Sequence, residues 1–204
     1  MAEFRTCPDT GFKIDLNADK LIKWNAVTAV VFLLVGGLFG LLVALTRWPA
    51  VHLLDADLFY LALTAHGLDV LLVWCIFFEI ALLYFTSAIL LNARMVFPKI
   101  AWIGYWMMLI GAVITNIAVL RGDSSVMFTS YPPMMAAQDF YLGIILFAVG
   151  ALLGCLVFFA TLHMARKEKT YEGSIPLVTF GAMTAAIIAV FTILSGAVIL
   201  VPTW

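Results

Sequence analysis

The chain has 204 residues, of which 65% are hydrophobic and 11% charged, with a formal net charge of −1 and a mean hydropathy of +1.11. A soluble domain is roughly half apolar and a quarter charged, so this composition excludes an ordinary soluble enzyme and indicates an integral membrane protein. No basic patch suited to nucleic acid is present, and Cys7, Cys75 and Cys155 form neither a CxxC motif nor a paired extracellular set, which argues against c-type haem, iron–sulfur and disulfide frameworks.

Residues 1–23 read as a polar lead-in that is cytoplasmic, ending in DLNADK, where Asp15 or Asn17 can cap a helix. Five apolar stretches follow, at about 24–46, 59–91, 100–120, 140–163 and 175–201. Each is long enough to cross a bilayer as a helix, so the expected fold is all-α and polytopic, a five-helix membrane domain over 24–204. The first stretch lies behind a polar segment and reads as an anchor that stays. The second is longer than a bilayer needs, which calls for tilt or protrusion. With the N-terminus in the cytoplasm, Arg5, Lys13, Lys20, Lys23, Arg94, Lys99, Arg166, Lys167 and Lys169 fall inside and only Arg47 and Arg121 outside. The positive-inside rule selects that orientation, with the C-terminus outside.

In the first span Gly36 and Gly40 make a small-xxx-small pair that permits close helix approach. The next loop groups His52, Asp55 and Asp57, most simply solvated residues with a capping Asp. The second span carries His66, Asp69 and Glu79. Asp69 lies three residues after His66 and shares its face. Glu79 lies about 20 Å further along at 1.5 Å per residue. Ionisable groups inside a span are costly and point to function. Pro98 stands where the third helix can begin. The loop before the fourth helix contains Tyr131-Pro132-Pro133 among methionines, a stiff and largely extended corner that suits a lid or a subunit contact. His163 sits at the opposite membrane side from His66, among the basic residues that end the fourth helix.

Three readings of His66 stand on the residues alone: an axial ligand of haem iron, a proton or ion relay with Asp69, and a hydrogen-bond donor between helices. Glu79 reads either as a neutral carboxyl bonded to a neighbouring helix or as a proton-conducting group. Asp69 reads as bonding to a partner subunit or an interfacial water.

The run LTAHGLDVLLVWCIFFEIALLYFTSAILLNARM resembles the second helix of subunit I of the haem–copper terminal oxidases, and VMFTSYPPM followed by DFYLGIILFAVG resembles the outer loop and fourth helix of that subunit. The likeness is closest to the B-family, the cytochrome ba-type oxidases of bacteria and archaea, and extends in order from about Trp24 onward. It rests on a T-x-H-G motif (Thr64, His66, Gly67) and a Tyr-Pro-Pro corner at the expected separation. It implies that His66 is an axial ligand of low-spin haem b and that Tyr131 lies on the haem-propionate side. It also implies a bacterial or archaeal cell membrane. Because the sequence has no HPEVY-like segment and no adjacent histidine pair, the resemblance implies the amino-terminal portion of a split or half-length subunit I. The second haem ligand, the copper and the high-spin haem would then belong to partner chains: one with the remaining subunit I helices, and a copper-containing subunit II fed by periplasmic cytochrome c or cupredoxin. The implied activity is passage of electrons through haem b toward an oxygen-reducing haem–copper centre, with proton translocation. A non-catalytic scaffold, a proton- or ion-transporting subunit of another respiratory complex, and a part of a nitric oxide reductase-like enzyme are the alternatives. Asp69 and Glu79 are the residues here with proton-related potential.

Overall fold

The computed structural model describes residues 3–204. A short antiparallel hairpin, β1 (Phe4–Thr6) and β2 (Lys13–Asp15), pairs Phe4 with Asp15, Arg5 with Ile14 and Thr6 with Lys13. Five long helices follow: α1 (Leu16–Arg47), α2 (Ala56–Ile89), α3 (Pro98–Leu120), α4 (Gln138–Glu168) and α5 (Leu177–Thr203), all long and apolar enough to cross a membrane. Apart from the hairpin the protein is all-α. The expected lead-in is therefore partly strand. Asp15 ends β2 and its side chain accepts from the Ala18 amide at 2.9 Å, starting α1 directly from the hairpin.

The other helix ends follow their local chemistry. Asp55 caps α2 by accepting from the Leu58 amide at 2.9 Å, and Pro98 occupies the first turn of α3, where its missing N–H costs nothing. Its 34 residues make α2 about 50 Å long, well beyond a hydrocarbon core of about 30 Å. It is not a uniform α-helix. Leu68–Trp74 and Phe85–Ile89 are π-helical, wider turns that rotate the following side chains relative to an unbroken helix and recur at functional sites.

The tightest seam joins α3 to α4, where Gly104 and Gly111 face Gly150 and Gly143. A Cβ on Gly104 would lie 2.9 Å from the Gly150 carbonyl oxygen, and one on Gly143 2.8 Å from that of Gly111. Such backbone-to-backbone approach is how membrane helices gain packing without a hydrophobic drive between them. Phe77 of α2 ties this pair to α1. Its ring centroid is 6.3 Å from Phe32, 5.9 Å from Tyr105 and 5.8 Å from Phe147. At the end of the bundle that holds the hairpin, Lys13 N–H donates to Asn92 Oδ1 (2.9 Å), Thr170 Oγ1 donates to Leu91 O (2.6 Å), and Arg94 pairs with Glu168 (2.8 Å). The hairpin, the α2–α3 turn and the α4–α5 connection are thus laced together. At the other end lie Asp55 and the α3–α4 loop. α5 is the most peripheral helix, with only Thr179 and Ala186 buried.

Candidate functional site: an imidazole pinned between two helices

His66 lies in the first third of α2, eleven residues past the Asp55 cap and just before the first π-helical turn. It is half-buried. Its Nδ1 is 2.8 Å from the main-chain oxygen of Gly36 on α1. A carbonyl oxygen can only accept, so Nδ1 carries the hydrogen. In the neutral ring the lone pair then resides on Nε2, which has no hydrogen-bond partner among the described residues. Small residues on α1 make this seat. A Cβ on Gly40 would fall 2.7 Å from His66 Cε1 and 2.8 Å from Nδ1, and one on Gly36 would fall 2.9 Å from Asp69 Cβ. The Gly36/Gly40 pair expected from the sequence to bring helices together does so, and the imidazole is what it accommodates.

The two motif neighbours of His66 are held from the α3–α4 loop. Thr64 Oγ1 accepts from the Met127 amide at 2.9 Å while donating to Tyr60 O at 2.8 Å. Gly67 lies under Phe128, whose Cδ1 would be 3.1 Å from an added Cβ. The loop that carries the Tyr-Pro-Pro corner therefore closes on the histidine turn through Met127 and Phe128. Both Met127 and Ser130 have left-handed backbone, φ 55° and 46°, so the segment folds back rather than running extended. Tyr131 is exposed, at 67% of its surface.

Asp69 is fully buried. Its Oδ1 accepts from Asn116 Nδ2 of α3 at 2.8 Å, and Oδ2 has no partner among the described residues. The expected partner subunit or interfacial water is thus replaced, for one oxygen, by a neighbouring helix of the same chain. Asn116 itself is fixed by donating to Ala112 O at 3.0 Å. An asparagine in an otherwise apolar span is a signal that sequence inspection could have flagged.

Glu79 lies apart from this cluster, on α2 facing α4 and α5. It borders a cavity of about 360 Å³ with Ile80, Cys155, Ala189 and Thr192, and a second of about 310 Å³ with Thr86, Gly181 and Ala185. Its carboxyl has no hydrogen-bond partner among the described residues, so the expected bond to a neighbouring helix is not formed. His163 is exposed near the Arg94–Glu168 pair, at the opposite end of the bundle from His66. His52 lies in the α1–α2 loop. Among the described residues no group of three or more His, Cys, Asp or Glu side chains could hold a metal ion.

The donor set at His66 fits haem iron. Metal-bound histidines characteristically donate their second ring N–H to a carbonyl or carboxylate, which fixes tautomer and ring plane, and that partner is present here as Gly36 O.

Five helices long and apolar enough to cross a membrane define a polytopic membrane protein, and the comparisons with known proteins narrow it. Residues 20–204 match the family of cytochrome c and quinol oxidase polypeptide I; the chain belongs to that family. It is 29% identical over 175 residues to cytochrome c oxidase subunit 1 of Thermus thermophilus, covering 80% of this chain and 30% of that protein. It is 26% identical over 176 residues to quinol oxidase subunit 1 of Bacillus spizizenii (81% and 27% covered), and 27% identical over 174 residues to heme-copper oxidase subunit I+III of Aeropyrum pernix (79% and 21%). Its fold is similar to that of a heme-copper terminal oxidase dimer solved by cryo-electron microscopy, with a TM-score of 0.82 at 23% identity, covering 92% of this chain and 32% of that one. The chain spans less than a third of the length of these three curated relatives.

Proposed function

We propose that this chain forms the haem-bearing amino-terminal part of a haem–copper oxidase subunit I of the B-family type, with His66 Nε2 as one axial ligand of a low-spin haem b. The hydrogen bond from His66 Nδ1 to Gly36 O is the observation that carries this reading, because it leaves Nε2 as the ring's donor atom. When bound, the haem supplies one-electron transfer. The chain's own residues do the rest. Gly36 and Gly40 seat the ring, Thr64 and Gly67 anchor the α3–α4 loop beside it, and that loop shields the histidine turn from water. Tyr131, on the same loop, is assigned to the propionate side.

In this reading the remaining helices of subunit I, in a partner chain, supply the second axial ligand and hold the high-spin haem and copper. A copper-containing subunit II delivers electrons from a periplasmic cytochrome c or cupredoxin, and oxygen is reduced with proton translocation. The N-terminal hairpin and the Arg94–Glu168 end face the cytoplasm of a bacterial or archaeal cell, consistent with the cluster of Lys and Arg residues there. Affinity purification of the tagged chain from its native membranes in mild detergent tests the assembly. A red complex containing a longer polytopic subunit is expected. Recovery of a stable, colourless single chain would overturn the proposal.

A further inference from the structure

The fully buried Asp69 is one helical turn beyond His66, and both residues meet the same point on α1. His66 Nδ1 bonds to the carbonyl of Gly36, and the Cα face of Gly36 presses on Asp69 and Val70 so closely that an added Cβ would lie 2.9 Å from Asp69 Cβ and 2.7 Å from Val70 Cγ2. On its other side Asp69 Oδ1 accepts from Asn116 Nδ2 at 2.8 Å, and Asn116 is itself tied to Ala112 O at 3.0 Å. A continuous chain of contacts therefore runs from the α3 backbone through Asn116, Asp69 and Gly36 to the imidazole. It crosses the helix where Leu68–Trp74 widens into a π turn, a feature frequent at functional sites.

Alternative purposes for Asp69 are poorly supplied with partners. From Lys23 to Arg47, α1 has no titratable side chain between the two, and α3 has none between Tyr105 and Arg121. No cation from either helix can therefore neutralise the carboxylate, and Asn116 is the side chain that meets it. Burying a polar group is costly unless it is bonded, and a half-satisfied carboxyl at this depth, with Oδ2 unpartnered, is retained against a stability cost. Groups behind a metal ligand orient it through the atoms they hold, and here the atom between Asp69 and the imidazole belongs to Gly36, whose carbonyl bonds His66 Nδ1.

We propose that Asp69 and Asn116 form a positioning clamp for His66, holding α2 against Gly36 so that the imidazole keeps one rotation about its bond to the haem iron. This rests on the axial-ligand reading of His66. The clamp acts through geometry and not through charge. Asp69→Asn keeps an Oδ1 acceptor for Asn116 and is expected to behave as the wild type. Asp69→Leu removes the acceptor and Asn116→Leu removes the donor; each is expected to retain haem but displace or broaden the low-spin g values and shift the midpoint potential.

The measurement is low-temperature electron paramagnetic resonance with a redox titration, on the assembled complex in native membranes, with haem content determined in parallel and His66→Ala run alongside. Asn116→Leu guards against misfolding at position 69. The clamp is supported if both leucine variants move the g values and potential at full haem content while Asp69→Asn does not. It is overturned if both leucine variants keep wild-type signals, or if Asp69→Asn shifts them as far as Asp69→Leu. If His66→Ala keeps its b-type signal, the ligand reading fails and the clamp with it; if His66→Ala loses the signal and the leucine variants are silent, the clamp alone fails.

Discussion

The imidazole of His66 lies against Gly40 with no room for a side chain between them: a Cβ there would be 2.7 Å from Cε1 and 2.8 Å from Nδ1. Three residues earlier on α1, Gly37 faces open space, with nothing within 4 Å of an added Cβ. The two glycines offer a matched pair in one helix, alike in propensity and opposite in surroundings.

Gly40→Ala is expected to displace the ring and lower the content of low-spin haem at least several-fold, while Gly37→Ala leaves it unchanged. Haem per protein, measured as the pyridine haemochrome of purified complex, checks the comparison. Equal haem in the two variants would contradict the seat described for His66.

The α3–α4 seam makes a separate claim about stability. Gly111→Val must drive a branched side chain into the backbone of Gly143 and Phe147, and overpacking of this kind costs about 1–3 kcal/mol or more. A lowered thermal midpoint in detergent is expected. Gly181→Ala, at a position with nothing within 4 Å, is expected to match the parent protein.

Thr64 is predicted to hold the α3–α4 loop. Thr64→Val removes the acceptor for the Met127 amide, a loss of about 1 kcal/mol. Faster hydrogen–deuterium exchange is expected in the segment around residues 124–131, with exchange in the α3–α4 glycine seam unaltered. Unchanged loop exchange would show that the bond carries no restraint.

Glu79 borders two cavities between α2, α4 and α5, and its carboxyl has no hydrogen-bond partner among the described residues. An apolar carbodiimide entering from the bilayer is expected to modify Glu79 in preference to Asp69, which is fully buried and bonded to Asn116. Peptide mass mapping after labelling with dicyclohexylcarbodiimide reads this out, with Glu79→Gln as the control. Modification at Asp69 in place of Glu79 would refute the assignment of exposure.

Much of this arrangement is legible in the sequence. The five spans follow from hydropathy, Asp15, Asp55 and Pro98 mark helix starts by local chemistry, and the Gly36/Gly40 spacing announces a close helix contact. The hairpin is not legible, because FRT and KID are three residues each and lack an alternating apolar face. The π turns at Leu68–Trp74 and Phe85–Ile89 are equally silent, since no residue in either run signals a wider turn. The partner of Asp69 is a tertiary fact that distance along the chain hides, 47 residues separating it from Asn116. The corner at Tyr131 draws attention by its prolines, whereas the residues of its loop that reach the histidine turn are the less conspicuous Met127 and Phe128.

The central claim is that His66 binds haem iron through Nε2, and the reduced-minus-oxidised absorbance spectrum of complex purified with His66→Ala tests it most directly. The account predicts loss of the b-type signal while the assembled subunits remain. A b-type signal of undiminished amplitude in that variant would contradict it.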